Sequence, residues 1–152
     1  MNGRKKMIMK HLILITAMAW GTSLRAQDKI DVPREATAIR AVLAQQVRDW
    51  NSFNIEGFMQ GYWKSDSMMF VSSKITYGWD STLARYKRSY PNATAMGELR
   101  FEIIKLQFIS KDACLVTGNY FLKRKLDNPS GTYTLLFRKK KEKWVVVYDH
   151  TS

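Results

Sequence analysis

The chain has 152 residues, with 25 basic against 13 acidic side chains for a formal charge of +12, 45% hydrophobic residues, one cysteine and two histidines. That length holds one ordinary domain with a core of its own. A single cysteine excludes an internal disulfide, and so few thiols and imidazoles make a zinc site improbable.

At the N-terminus, Arg4, Lys5, Lys6 and Lys10 form a basic flank to "HLILITAMAWGTSL". That apolar stretch has signal-peptide length and is short for a bilayer span. Ala26 is the expected residue before cleavage, although Leu24 is bulkier than the usual rule at its place, and no cysteine follows to carry a lipid anchor. The competing reading is a buried N-terminal helix. Residues 1–26 therefore read as a signal peptide and 27–152 as one domain, exported to the periplasm or secreted, with no membrane anchor after cleavage. The first segment holds five basic residues and no acidic one, so the rest carries 20 against 13, or +7. Much of the basicity is thus targeting signal, and no nucleic-acid partner is expected.

Pro33 suits the first turn of a helix, where its missing N–H is not needed. Ile39, Val42, Leu43, Val47 and Trp50 recur at three and four residues and predict a helix from about 33 to 52. "NSFN" breaks it, and Asn54 is placed to cap a short second helix carrying Ile55, Phe58, Met59 and Tyr62. "SMMFVSS" reads as a short strand. Gly78 breaks the chain after "KITY", and "WDSTLARYKRSYP" predicts a third helix ended by Pro91, with Leu83, Tyr86 and Tyr90 on one side.

Four β-rich runs follow: "ELRFEIIKLQFIS", "DACLVTGNYFLKRKL", "GTYTLLFRKK" and "KWVVVYDHTS". "DNPSG" and "KKKEK" read as the turns between them. In the first run, Leu99, Phe101 and Ile103 alternate and then shift phase to Ile104, Leu106 and Phe108, which predicts a β-bulge. Helices first and an antiparallel meander last make an α+β fold. Cys114, inside "ACLVTG", reads as a buried small hydrophobe.

Alternation along the strands predicts which residues face inward. The more consistent core face joins Val145, Val147 and Asp149 to Tyr133, Leu135 and Phe137 and to Tyr120, Leu122 and Arg124. Asp149 and Arg124 then share one end of an apolar interior, either as a structural ion pair or as the polar end of a ligand pocket. His150 falls on the other face. That face, with Trp144, Tyr148 and Phe121, is too aromatic for plain exposure and is the expected interface of a homodimer. A slip of one residue would exchange the faces of the last strand.

Taken in order, "QQVRDWNSFNIEGFMQGYW", "YGWDSTLARYKRSYP", "VTGNYFLKR" and "GTYTLLFRKKKEKWVVVYDHTS" resemble a SnoaL-like protein of the nuclear-transport-factor-2-like superfamily. More closely, they resemble the small exported group within it known as a domain of unknown function, over about residues 36–152. The resemblance implies a cone-shaped curved antiparallel sheet wrapped around N-terminal helices, with a pocket at the wide end and dimerisation through the outer sheet face. It places Trp50, Tyr62, Trp79 and Tyr86 on the pocket wall, beside the parity-derived Tyr120, Arg124 and Tyr133, and puts Asp149 and His150 in the closing motif. Where the family usually carries Gly-Asp between its first two helices, this chain has Phe53-Asn54.

Enzymes of the superfamily, among them isomerases, dehydratases and epoxide hydrolases, use a pocket Asp or His for proton transfer. Asp149 and His150 are the catalytic candidates here, yet neighbours on a regular strand point to opposite faces and form no dyad. Two functions follow. The first is an aromatic-lined pocket without assigned chemistry, binding a small, partly apolar ligand or serving as a dimeric module. The alternative is a proton-transfer enzyme, isomerase- or hydrolase-like. No cofactor and no metal are expected.

Overall fold

The computed structural model describes residues 30–152, so the expected signal peptide, and the cleavage expected after Ala26, lie outside the described residues. Helix α1 spans Val32–Asn51, with Asp31 as its cap: Oδ1 accepts the Arg34 N–H at 3.2 Å, and Pro33 sits in the first turn. Its buried stripe is Ile39, Leu43, Gln46 and Trp50. Helix α2, Ile55–Met59, is capped by Asn54, whose Oδ1 accepts the Gly57 N–H at 2.9 Å. It is shorter than the spacing predicts, and Tyr62 lies beyond it. There the backbone leaves the helix to bridge Val146, which accepts from Trp63 N at 2.8 Å and donates to Gly61 O at 2.9 Å.

Strand β1 is Met69–Val71 and β2 is Ile75–Tyr77. Helix α3, Trp79–Ser89, and the single turn α4, Ala93–Met96, precede the long strands β3 (Glu98–Ser110), β4 (Ala113–Lys123), β5 (Ser130–Lys140) and β6 (Lys143–Thr151). The six strands form one sheet in the order β2-β1-β6-β5-β4-β3. All neighbours are antiparallel except β1 and β6, which are parallel. The phase shift in β3 is a register shift between Ile103 and Lys105. Neither the strand in "KITY" nor α4 is legible in the hydrophobic pattern, because each is too short to show a period.

The last strand corrects the parity reading. Phe137 faces Val146 but Leu136 faces Tyr148, so Val147 is an extra residue and the strand bulges there. Before the bulge the inward residues are Trp144 and Val146, at 4% and 0% exposure, and not Val145 and Val147. After it, Asp149 points inward opposite Leu135 and His150 is exposed. Asp149 is therefore internal, as straight alternation predicts, while the valines are on the wrong side. Trp144 leaves the outer face for the same reason: it is core, and its Nε1 donates to Glu35 Oε2 at 2.6 Å. Of the three aromatics expected outside, Tyr148 and Phe121 remain, both half-buried, with the Arg100 guanidinium 4.0 Å over the Phe121 ring.

The core between helices and sheet contains Ile39, Leu43, Phe58, Met59, Met68, Val116, Phe137 and Val146. Cys114 is fully buried within it, and burial raises its thiol pKa, so it is a packing residue without nucleophilic character. Asn51 ties α1 to the sheet as a strand partner would: its Oδ1 accepts the Leu99 N–H at 2.7 Å and its Nδ2 donates to Leu99 O at 3.1 Å.

Candidate functional site

The sheet and helices enclose a cavity of about 310 Å³, large enough for a small organic molecule. Its walls come from every part of the fold. Helices α1 and α2 bring Gln46, Trp50 and Phe58; β1 and α3 bring Phe70 and Tyr86. The long strands bring Phe101, Tyr120, Tyr133 and Asp149. Exposed Ser73, Ser89 and Ser152 mark the mouth.

The rings form a connected wall. Trp50 meets Phe58, Tyr86 and Tyr90 edge-on at centroid distances of 5.2, 6.1 and 4.8 Å. Tyr86 stacks on Phe70 at 5.6 Å, and Phe101 meets Tyr133 at 5.2 Å. Such packing fixes ring positions and leaves mostly apolar surface facing the hollow. Trp50 is held further by its indole N–H, which donates to Met96 O at 3.3 Å.

One charged group lies deep in this wall. Asp149 is 3% exposed. Its Oδ2 accepts the Tyr62 hydroxyl at 2.7 Å and its Oδ1 accepts the Thr151 hydroxyl at 2.6 Å. No ion pair reaches it among the described residues. Burial pushes its carboxyl up to about 6, against the pull of the hydrogen bonds from Thr151 and Tyr62 and the charge of neighbouring His150. Burial and that carboxylate in turn raise the Tyr62 and Tyr86 phenols, and Tyr133 to about 12, so all three are donors at neutral pH.

The expected partner of Asp149 is engaged elsewhere. Arg124 lines the cavity, but its Nη1 donates to Ala95 O at 3.1 Å and its Nε stands 3.1 Å from Asp127 Oδ1. The Nε–H is not aimed at that oxygen, so the ion pair leaves this buried N–H without an acceptor among the described residues. The structural Arg124–Asp149 pair is thus not formed. The β4–β5 loop carries its own acid within reach, and Arg124 turns outward to it. Tyr133 is the second orphan: its hydroxyl is buried with no partner among the described residues. It lies over Gly118, where any side chain would collide with it, since a Cβ there would stand 2.3 Å from that oxygen.

Seven of the nine residues singled out in the sequence line this one cavity: Trp50, Tyr62, Tyr86, Tyr120, Arg124, Tyr133 and Asp149. Trp79 does not; it is a core residue whose indole N–H donates to Met59 O at 2.8 Å, under the Lys64 ammonium. His150 is exposed on the outer side of β6 and cannot act with Asp149 in the cavity. Sequence reasoning missed Thr151, Phe70 and Phe101. Thr151 carries a legible signal, because two residues from Asp149 on a strand is the same face.

No family model matches the sequence, and no curated protein is significantly similar to it. Solved structures are. An NTF-2 like protein of unknown function from Shewanella oneidensis is 39% identical and superposes with a TM-score of 0.76, over 78% of this chain and 98% of that one. An NTF2-like protein of unknown function from Pseudomonas putida is 17% identical with a TM-score of 0.62, over 82% and 89% of the two chains. A ketosteroid isomerase-like protein from Erwinia carotovora atroseptica is 18% identical with a TM-score of 0.60, over 78% and 95%. The last two share the fold alone. The first, near-complete and well above that range, shows that this chain belongs to the nuclear-transport-factor-2-like family.

Proposed function

We propose that the protein is an exported ligand-binding domain whose aromatic cavity holds a small, partly apolar molecule, with Asp149 accepting a hydrogen bond from it. The observation that carries this reading is a buried carboxylate with two hydroxyl donors and no ion-pair partner among the described residues, on the wall of a largely aromatic cavity. Burying such a group is costly, and a structural role would recruit a cation to offset it. The orphaned Tyr133 hydroxyl supports the same reading, since a ligand acceptor would satisfy it. Native mass spectrometry of the undenatured full chain, with titration by the neutral aromatic 2-naphthylmethanol, tests it. A bound small molecule or saturable uptake is expected; an empty chain that takes up no probe would overturn it.

Pairing of two chains through the outer sheet face is part of the proposal. Leu115, Leu136, Tyr148 and Met69 are register partners in a row across four strands, all half-buried and alternating with inward core residues. This row takes the place that Trp144 was expected to fill. Light scattering at micromolar concentration should give a dimer mass; a monomer removes this part.

One observation favours the enzymatic alternative. A carboxyl at about 6 is poised to take and return a proton near neutral pH. On that plan Asp149 is the base and a neutral tyrosine the donor. Turnover would fall on the acid side near pH 6 and vanish in Asp149→Asn. Ligand binding retained with no turnover of any bound compound would leave the binding function alone.

A further inference from the structure

The cavity is aromatic inside and basic at its mouth. A second, polar groove opens beside it, lined by Lys74, Arg85 and Arg88 with Ser73, Ser81 and Ser89. The two hollows share Ser73, Arg85 and Ser89 and therefore adjoin at the mouth. Arg85 is fixed at their junction. Its Nη1 donates to Lys74 O at 3.1 Å and to Thr76 Oγ1 at 2.9 Å, its Nη2 donates to Ser72 Oγ, and its guanidinium lies 4.8 Å over the Phe70 ring. None of Lys74, Arg85 and Arg88 has a carboxylate within 4.0 Å among the described residues. Arg124, which also lines the cavity, borders a third groove with Lys123, Lys125 and Glu98, and is itself paired with Asp127.

Three unpaired cations around one concavity, one of them immobilised by hydrogen bonds, favour an anion there without reorganisation. Inside the cavity the sign reverses. An anionic group brought to Asp149 would meet an ionised carboxylate in an apolar setting, which is strongly unfavourable. The two ends therefore dictate one orientation.

We infer that the cavity's ligand is an anionic amphiphile, its apolar or aromatic body against the rings and its one acidic group, a carboxylate, sulfate or phosphate, at the mouth against Lys74, Arg85 and Arg88. The end that reaches Asp149 carries a hydrogen-bond donor or nothing polar. This inference rests on the ligand-cavity reading above and adds the class of molecule and its direction of entry.

Calorimetric titration of the full chain with two probes of matched body, 2-naphthoate and neutral 2-naphthylmethanol, tests it. At low salt the naphthoate should bind about tenfold more tightly, the effect of two or three partly exposed charge contacts. Raising the salt should erase that margin and leave the neutral probe unmoved. The double variant Lys74→Gln/Arg88→Gln, which lies outside the cavity wall, should bring naphthoate down to the neutral probe's affinity without changing the latter. Equal affinities with no salt dependence would overturn the inference while the cavity reading stands. Uptake of neither probe would overturn both. Binding to anionic lipid vesicles that persists with the cavity filled by the neutral probe would reassign the cations to a membrane surface and also overturn it.

Discussion

Two acids in this molecule are held almost alike and behave oppositely. At the end of the sheet near the β5–β6 hairpin, Glu35 accepts from an aromatic donor, the Trp144 indole at 2.6 Å, and from the Lys139 ammonium at 2.9 Å. At the cavity end, Asp149 accepts from the Tyr62 phenol at 2.7 Å and the Thr151 hydroxyl at 2.6 Å. The differences are a cation and the depth of burial: Glu35 is half-buried beside Lys139, whereas Asp149 is enclosed in the cavity wall. Hydrogen bonds from Lys139 and Trp144 hold the Glu35 carboxyl below the usual carboxylate range, whereas deep burial, with no ion-pair partner among the described residues, lifts Asp149 to about 6. The first is a fastening between α1 and the sheet. The second is a charge kept in the fold at a cost, beside a phenol without a partner among the described residues, and perturbed groups of this kind cluster at functional sites.

The largest expected effect comes from removing the charge at the cavity end. The Asp149 carboxyl rises from 3.8 in the unfolded chain to about 6 in the folded one. Between these values the native state holds a proton that the unfolded state has released. Its contribution is therefore favourable at low pH and is lost as pH rises through about 6, leaving a penalty of about 3 kcal/mol above that. Asp149→Asn should raise the melting temperature at pH 8 and have no such effect below about pH 4. A gain that did not vary with pH would break the contrast.

Glu35→Ala should act in the other direction. It strips the acceptor from the Trp144 indole and the Lys139 ammonium and should cost about 1–3 kcal/mol in denaturant unfolding at neutral pH. Because the Glu35 carboxyl is lowered on folding, its contribution is present above the unfolded value and is lost as pH falls, the reverse of Asp149. A variant as stable as the parent would show that the fastening is ornamental.

A strained position away from both acids sets the scale. Phe53 has φ 61, in the left-handed region, and is 55% exposed. The resemblance noted in the sequence usually has glycine at this turn, and the backbone shows why. Phe53→Gly should stabilise by about 1 kcal/mol in the same unfolding experiment, since it relieves left-handed strain and opens no cavity. A loss of stability would mean that the exposed ring has a packing role.

The smallest stability change is expected from Tyr133→Phe. Deleting an unsatisfied buried hydroxyl should be neutral or favourable by up to about 1 kcal/mol, while uptake of a ligand bearing an acceptor weakens. A clear loss of stability would show that the hydroxyl has a partner in solution.

How much of this was legible in the sequence depended on range. Local chemistry was plain: the Pro33 helix start, the Asn54 cap and the phase shift in β3 each announce themselves within a few residues. The aromatic wall was legible through resemblance and strand alternation, except for Trp79, whose indole N–H found a backbone acceptor and turned it into core. Three things were beyond reach. The bulge at Val147 leaves no mark in an unbroken valine run, so Asp149 was placed correctly while Trp144 was not. The partner of Arg124 was decided by Asp127 in its own loop, a choice alternation cannot see. The parallel pairing of β1 with β6 joins segments far apart in sequence, and no local pattern specifies it.

The most direct test of the central contrast is a carbon-13 titration of the aspartate carboxyls in the full chain, with Asp149→Asn used to assign the Asp149 resonance. Without ligand, Asp149 should titrate near 6, well above an ordinary aspartate. A midpoint at or below the ordinary value would mean that the carboxylate has a stabilising countercharge in solution. It would then be a structural group like Glu35, and the case for a charge reserved for a ligand would fail.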